Sequence, residues 1–164
     1  MLVFKINEIP KGKSVEHLSV PDQILDLSGI PYRGLRLDIT FERREMAIIM
    51  TFNFETEVQL VCDRSLDEYW HSLSGTYAIL YKEGAEEESD DAQMSVRRLD
   101  ISGNIINIEQ EVRDTILLAV PLRKIHPRYF DENGDLIELE IQEDEAQEMD
   151  PRWEALKKLK ETNQ

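Results

Sequence analysis

Residues 56–82 read TEVQLVCDRSLDEYWHSLSGTYAILYK, and the pentapeptide Cys62-Asp63-Arg64-Ser65-Leu66 divides this stretch into two arms. In the first arm Val58, Leu60 and Cys62 alternate with Glu57, Gln59 and Val61; in the second, Tyr77, Ile79 and Tyr81 share one parity. A period of two marks a strand with one buried face. The pattern predicts a strand entering the hinge, a short helix or loop over 66–73, and a returning strand over 75–81.

Upstream, the parity of the first arm continues back through Thr56, Phe54, Phe52, Met50, Ile48 and Met46. Strands average about five or six residues, so the run 46–62 predicts a bend or bulge near 53–55, as sheets use to curl. Leu35, Leu37, Ile39 and Phe41 mark the preceding strand, with 42–45 as its exposed turn. Residues 2–6 and 15–20 suggest an N-terminal hairpin turning at Pro10-Lys11-Gly12-Lys13. Pro21, Gly29, Pro31 and Gly34 punctuate the connection that follows, which has room for a helical turn over 22–27.

Downstream, 83–91 reads as an acidic hairpin tip and 96–101 as its partner strand, turning at Ser102-Gly103-Asn104. Asn107 and Gln110 have the spacing of a capping box, with Glu109 and Glu111 where a helix N-terminus favours negative charge. Ile108, Val112, Ile116 and Ala119 form one stripe and Pro121 stops it, which predicts a helix over 107–120 lying across the sheet. Residues 125–130 and 136–141 flank Asn133-Gly134, a hairpin turn signal. Asp150-Pro151 opens a short C-terminal helix whose face carries Trp153, Leu156 and Leu159; so short a helix needs a docking surface.

These segments amount to an α+β fold: a curled, mostly antiparallel sheet that could be barrel-like, covered by one main helix. The expected organisation is a β-rich domain over 1–130, an acidic hairpin or linker over 131–149, and a short helix and tail over 150–164. The 164 residues suit one domain with tails, and 41% hydrophobic content is enough for a packed core. No basic segment leads into an apolar run near residue 1 and no apolar stretch is long enough to span a bilayer, so a cytoplasmic protein without membrane contact is expected. The single cysteine, Cys62, fits a reducing compartment.

Net charge is −15, but it is unevenly placed. Residues 83–91 and 131–150 contain 16 of the 34 acids and no base, which leaves 18 acids against 19 Lys and Arg elsewhere. A nearly neutral body thus carries two acidic segments. Arg97-Arg98 and Arg123-Lys124, with His126 and Arg128, bracket the main helix and form a candidate phosphate-binding patch, with Tyr69, Trp70 or Tyr129 available for base stacking. The competing reading is that these cations balance neighbouring acids.

Catalytic chemistry has little support. A Cys–His nucleophilic pair would need Cys62 beside His71 or His126, whereas a cysteine ending an apolar strand reads more simply as a small buried residue. His17, His71 and His126 lack metal-ligand spacing. We assign no catalytic residue, metal or cofactor, and expect no small-molecule substrate.

The hinge Cys62-Asp63-Arg64-Ser65-Leu66, the segment Leu117-Leu118-Ala119-Val120-Pro121 with His126, and the ending Asp150-Pro151-Arg152-Trp153 resemble the YceD family of large ribosomal RNA subunit accumulation proteins. The resemblance implies a non-catalytic factor supporting ribosomal RNA accumulation and ribosome assembly. Many family members carry C-x-x-C at the hinge and a second cysteine pair downstream, a set suited to zinc. Here Ser65 replaces the second hinge cysteine and no cysteine follows. The resemblance leaves two partners, a basic ribosomal protein, favoured by the acidic segments, or ribosomal RNA. An acidic protein-interaction module unrelated to ribosomes is the alternative.

Overall fold

Residues 47–82 form a long antiparallel hairpin of two strands, β4 (Ala47–Val61) and β5 (Glu68–Lys82). Preceding them are β1 (Val3–Lys5), β2 (Gly12–Val20) and β3 (Tyr32–Arg43); following them are β6 (Ser89–Asp90), β7 (Met94–Arg98), β8 (Ile105–Asn107) and the helix α1 (Glu109–Ala119). This computed structural model describes residues 2–22, 24–84, 89–90, 94–99 and 103–137. The chain divides into two units, Met1–His126 and Pro127–Gln164.

The main sheet has the order β2-β3-β4-β5-β7-β6 and is open, not closed into a barrel; β1 and β8 form a separate two-stranded sheet. All its pairings are antiparallel except β5 with β7. The alternation seen in the sequence becomes one buried face. Leu37, Ile39 and Phe41 of β3 and Met50, Phe52 and Val58 of β4 have no exposed surface, and Ile79 of β5 joins them. The helix lies against β5, burying Val112 and Ile116, with Ile108 buried just before its first turn.

Several expectations are corrected. β5 begins at Glu68, so 66–73 is neither helix nor loop beyond the hinge turn; Tyr69 and Leu73 are buried on the same face as Ile79 and Tyr81. The β4–β5 pairing runs through fifteen consecutive residue pairs with no interruption. The bulge predicted at 53–55 lies instead on β3, where the register shifts between Arg33 and Arg36 opposite 55–57. It allows Tyr32 and Leu35, which strict alternation would separate, to face the core together. Gly34 takes φ +64 there, and Thr56 Oγ1 donates to the Arg33 carbonyl at 3.1 Å.

The N-terminal hairpin does not form. β1 pairs with β8, and β2 with β3. Residues 6–8 form a 3-10 turn after β1, and Arg43 Nη1 donates to the Ile6 and Ile9 carbonyls at 2.6 Å each, holding this turn to β3. Phe4 packs edge-on against Phe41 at 5.1 Å. No helical turn occurs among the described residues of 22–27; Leu25 and Leu27 enter the core, and Tyr32 Oη accepts the Leu25 N–H at 2.9 Å. β3 extends to Arg43, which moves the turn to 44–46, where Met46 is exposed.

β7 pairs with β5 in parallel, not as the returning arm of a hairpin. The chain passes outside it as β6, then inserts β7 between β6 and β5. The helix starts two residues later than expected, at Glu109, because Asn107 still belongs to β8. The N-cap position is thus Ile108 and not Asn107, and no side chain caps the helix there, although Asn107 Oδ1 accepts the Glu109 N–H at 3.0 Å. Val120 leaves the helix in an extended conformation and Pro121 follows.

In the second unit, residues 127–129 form a 3-10 turn. A single bridge pairs Phe130 with Leu136 around Asn133-Gly134. The Asp131 carboxylate accepts the N–H groups of Asp135 and Asn133 at 2.8 and 2.9 Å. These bonds hold its pKa below the usual carboxylate value. The arm expected beyond 137 and the C-terminal helix with Trp153, Leu156 and Leu159 lie outside the described residues.

Gly75 sits directly beneath the Phe54 ring: a Cβ there would stand 2.6 Å from Phe54 Cε1. Gly75→Ala should therefore destabilise the fold by about 1–3 kcal/mol, the usual cost of overpacking a core. Gly75→Ala combined with Phe54→Leu should lose less than the two single losses together, measured by urea unfolding. Strict additivity would show that the ring is not the obstacle.

Candidate functional site

The two motif segments, about sixty residues apart, meet in space at the hinge. Cys62 directly follows β4, and its N–H donates to the Asp67 carbonyl at 2.8 Å while its carbonyl accepts the Leu66 N–H at 2.9 Å, closing the turn. Leu66 adopts φ +61, a conformation that a leucine reaches only under constraint, and leaves its side chain 78% exposed. The chain after α1 then binds along this turn. Asp63 N–H donates to the Lys124 carbonyl at 2.7 Å, and the Asp63 carboxylate accepts the Lys124 N–H at 2.7 Å. One residue pair thus ties both its backbone and a side chain to the hinge.

Cys62 Sγ accepts the His126 N–H at 3.3 Å and has no exposed surface. Burial pushes its pKa up, but the neighbouring Ser65 side chain and the backbone amides of His126, Arg64 and Ser65 favour the thiolate and lower the value to about 7. Ser65 Oγ itself is buried and makes no hydrogen bond of good geometry among the described residues. Tyr69 packs on the His126 ring at 5.1 Å and on His71 at 6.2 Å. Burial first, then the nearby Cys62 and Asp63, raises the pKa of Tyr69.

The sequence marks Cys62 as a small buried residue, and it is buried. Its sulfur is also the acceptor around which the hinge amides converge. Spacing does not reveal this, because the His126 amide comes from far along the chain. Zinc does not fit here. The sulfur accepts the His126 N–H, and no group of three or more His, Cys, Asp or Glu side chains among the described residues is placed to hold a metal.

Within the first unit the basic residues do not gather. Arg97 lies on the helix-facing side of β7 with only 22% of its side chain exposed, paired with Asp90 at 2.6 Å and Glu111 at 3.4 Å. These carboxylates outweigh the desolvation cost and raise its pKa. Arg98 is exposed and, as the next residue of the strand, points to the opposite face. Arg123 and Lys124 follow α1, whereas Arg97 meets its first turn, so the helix length of roughly 16 Å lies between them. Arg128 belongs to the second unit, where its guanidinium stacks over Tyr129 at 4.9 Å. Of the proposed stacking residues, Trp70 is already covered by Arg33 at 4.0 Å.

A groove of about 520 Å³ runs between α1 and β5. Tyr77 and Thr76 line its strand side, Glu111, Asp114 and Leu118 its helix side, and the Asp90–Arg97 pair also lines it. Sequence reasoning misses this groove. Glu111, Asp114 and Leu118 recur at helical spacing, but only the tertiary fold brings Asp90 beside them.

Thiolate absorbance in the native protein should titrate near pH 7, not near the ordinary value of 9.0. The sign follows from proton counting: between these values the unfolded chain holds a proton that the folded one has released, so stability should rise with pH across this window and fall away as pH drops through about 7. Cys62→Ala should abolish the rise. Alkylation of native protein should stay slow although the thiol is ionised, because the sulfur is enclosed. A native midpoint near 9.0 would contradict the hydrogen-bonded thiolate.

No helix among the described residues is long and apolar enough to cross a membrane. Comparison with curated proteins and with solved structures gives no match. The family described as Large ribosomal RNA subunit accumulation protein YceD matches residues 50–160, from the middle of β4 onward, including the hinge, α1 and the segment that closes on the hinge. The chain belongs to the YceD family, whose name associates it with accumulation of large-subunit ribosomal RNA.

Proposed function

We propose that this protein is a non-catalytic assembly factor that supports accumulation of large-subunit ribosomal RNA by binding a basic ribosomal protein. Family membership carries the first half of this reading. Charge placement supports the second. Acids are concentrated in 83–91 and 131–150, and an acidic face attracts and orients a strongly basic protein before it meets RNA. Arg97, one of the cations expected to contact phosphate, already has two carboxylate partners. A phosphate would have to displace at least one of them. Trp153, Leu156 and Leu159, which the sequence expects on one face of a short helix, are proposed as a second docking element.

Purification of the protein from cells, with identification of bound RNA and protein, tests the reading. Ribosomal proteins of the large subunit should be recovered, and should persist after nuclease treatment. Replacing the acids of 83–91 by their amides should slow association, since complementary charge acts mainly on the on-rate. Replacing Arg98, Arg123, Lys124 and Arg128 by glutamine should have little effect. If RNA were the ligand, those four replacements would weaken binding and flatten its salt dependence, the logarithmic slope falling by about one for each phosphate released.

A further inference from the structure

The groove between α1 and β5 combines features that fit one kind of ligand. Its lining presents three carboxylates, Asp90, Glu111 and Asp114, against one guanidinium, Arg97. Two of the carboxylates already share that guanidinium, and Glu111 is only 13% exposed, where its charge is poorly screened by water. Asp114 pairs with Arg113 Nη1 at 3.4 Å, while Arg113 Nε donates to the Asp26 carbonyl at 2.5 Å. Counting that pair, three carboxylates face two guanidiniums, so the helix side of the groove keeps a surplus of one negative charge.

Its second feature is apolar. Leu118 lies on the same side of α1 as Glu111 and Asp114, lines the groove, and leaves 86% of its surface in water, while Tyr77 is half-buried across from it. A third observation comes from below. Tyr81 is 6% exposed, its hydroxyl has no hydrogen-bond partner among the described residues, and its electrostatic neighbours are Glu111 and Arg97. Tyr81 does not itself line the groove, but its unsatisfied hydroxyl lies next to two of the charges that do.

We propose that this groove is the docking site for a short segment of a basic protein that places a lysine or arginine between Glu111 and Asp114 and an adjacent apolar side chain on Leu118 and Tyr77. The inference rests on the basic-partner reading above and names where the partner is held. Charge complementarity selects the occupant. RNA would bring phosphates against the surplus carboxylates, and a second copy would bring an equally acidic surface.

The test uses the full chain with two synthetic peptides, one of alternating lysine and leucine and one of lysine alone, followed by calorimetry at physiological salt. The alternating peptide should bind about tenfold more tightly than oligolysine, as a desolvated anchor residue would make it. Leu118→Ala should remove most of that difference. Asp114→Asn should weaken both peptides, and since both side chains are at least 47% exposed the variants should keep the fold. Equal binding of the two peptides, or indifference to Leu118→Ala, would overturn the proposal. So would a dimer, seen by sedimentation, that dissolves on Leu118→Asp, because it would give the groove to a second copy. Pull-down of ribosomal proteins by these variants separates the two levels: undiminished recovery rejects the groove while keeping the parent reading, and no recovery by the wild-type protein rejects the parent reading itself.

Discussion

The structure depends on the unbroken pairing of β4 with β5. Fifteen consecutive pairs allow no change of face along either strand, so every even position of β4 from Ile48 and every odd position of β5 must serve one core. Neighbouring elements absorb the irregularity that this hairpin excludes. β3 takes the bulge, with Gly34 and Thr56 stabilising it, and β5 accepts the Phe54 ring only because position 75 has no side chain. The hairpin also carries the site. One end is the hinge that receives 124–126, and the other is where β7 joins in parallel and presents Arg97 to α1.

At the hinge, polar groups do what packing alone cannot. A non-glycine residue at positive φ costs about 1–3 kcal/mol and persists only where its surroundings hold it. Leu66 is held by its own N–H on the Cys62 carbonyl and by the Cys62–Asp67 bond beside it. Asp63 then fastens the post-helix segment through two bonds, and the Cys62 sulfur gathers amides from both segments. The hinge is closed by backbone hydrogen bonds and the Asp63 carboxylate, and the Cys62 sulfur adds the His126 amide to them.

The parity of Leu35 to Phe41 and of Ile48 to Cys62 made the central strands legible, because burial on one face leaves a period of two in any strand long enough to show it. The first half of β5 was obscured by its composition: Asp67, Glu68, Ser72 and Ser74 face solvent, and Tyr69, His71 and Leu73 are too mixed in polarity to mark a core face at a glance. β1 was visible as a strand but its partner was not, since pairing with β8 depends on about a hundred intervening residues. The same non-locality hid the site. Nothing near Cys62 announces the amide of His126, and nothing near Arg97 announces that Asp90 and Glu111 converge on it. Local chemistry can be read from neighbouring letters; cancellation of one charge by another requires the fold.

That cancellation bears on what a distant partner would feel. Arg33 with Glu57, Arg36 with Glu55, Arg44 with Glu42, and Arg97 with Asp90 and Glu111 pair four of the 19 Lys and Arg at short range. Exposed pairs of this kind contribute little to stability. Their larger consequence lies in the external field, because two opposite charges a few ångströms apart nearly vanish at a Debye length of about 8 Å. Inside the body these pairs cancel locally, while 83–91 and 131–150 contribute acids without a base within either segment. The net charge is accordingly concentrated in those two segments. It favours approach by a cationic partner, and the groove beside α1 adds to this field the apolar contact that charge alone cannot supply.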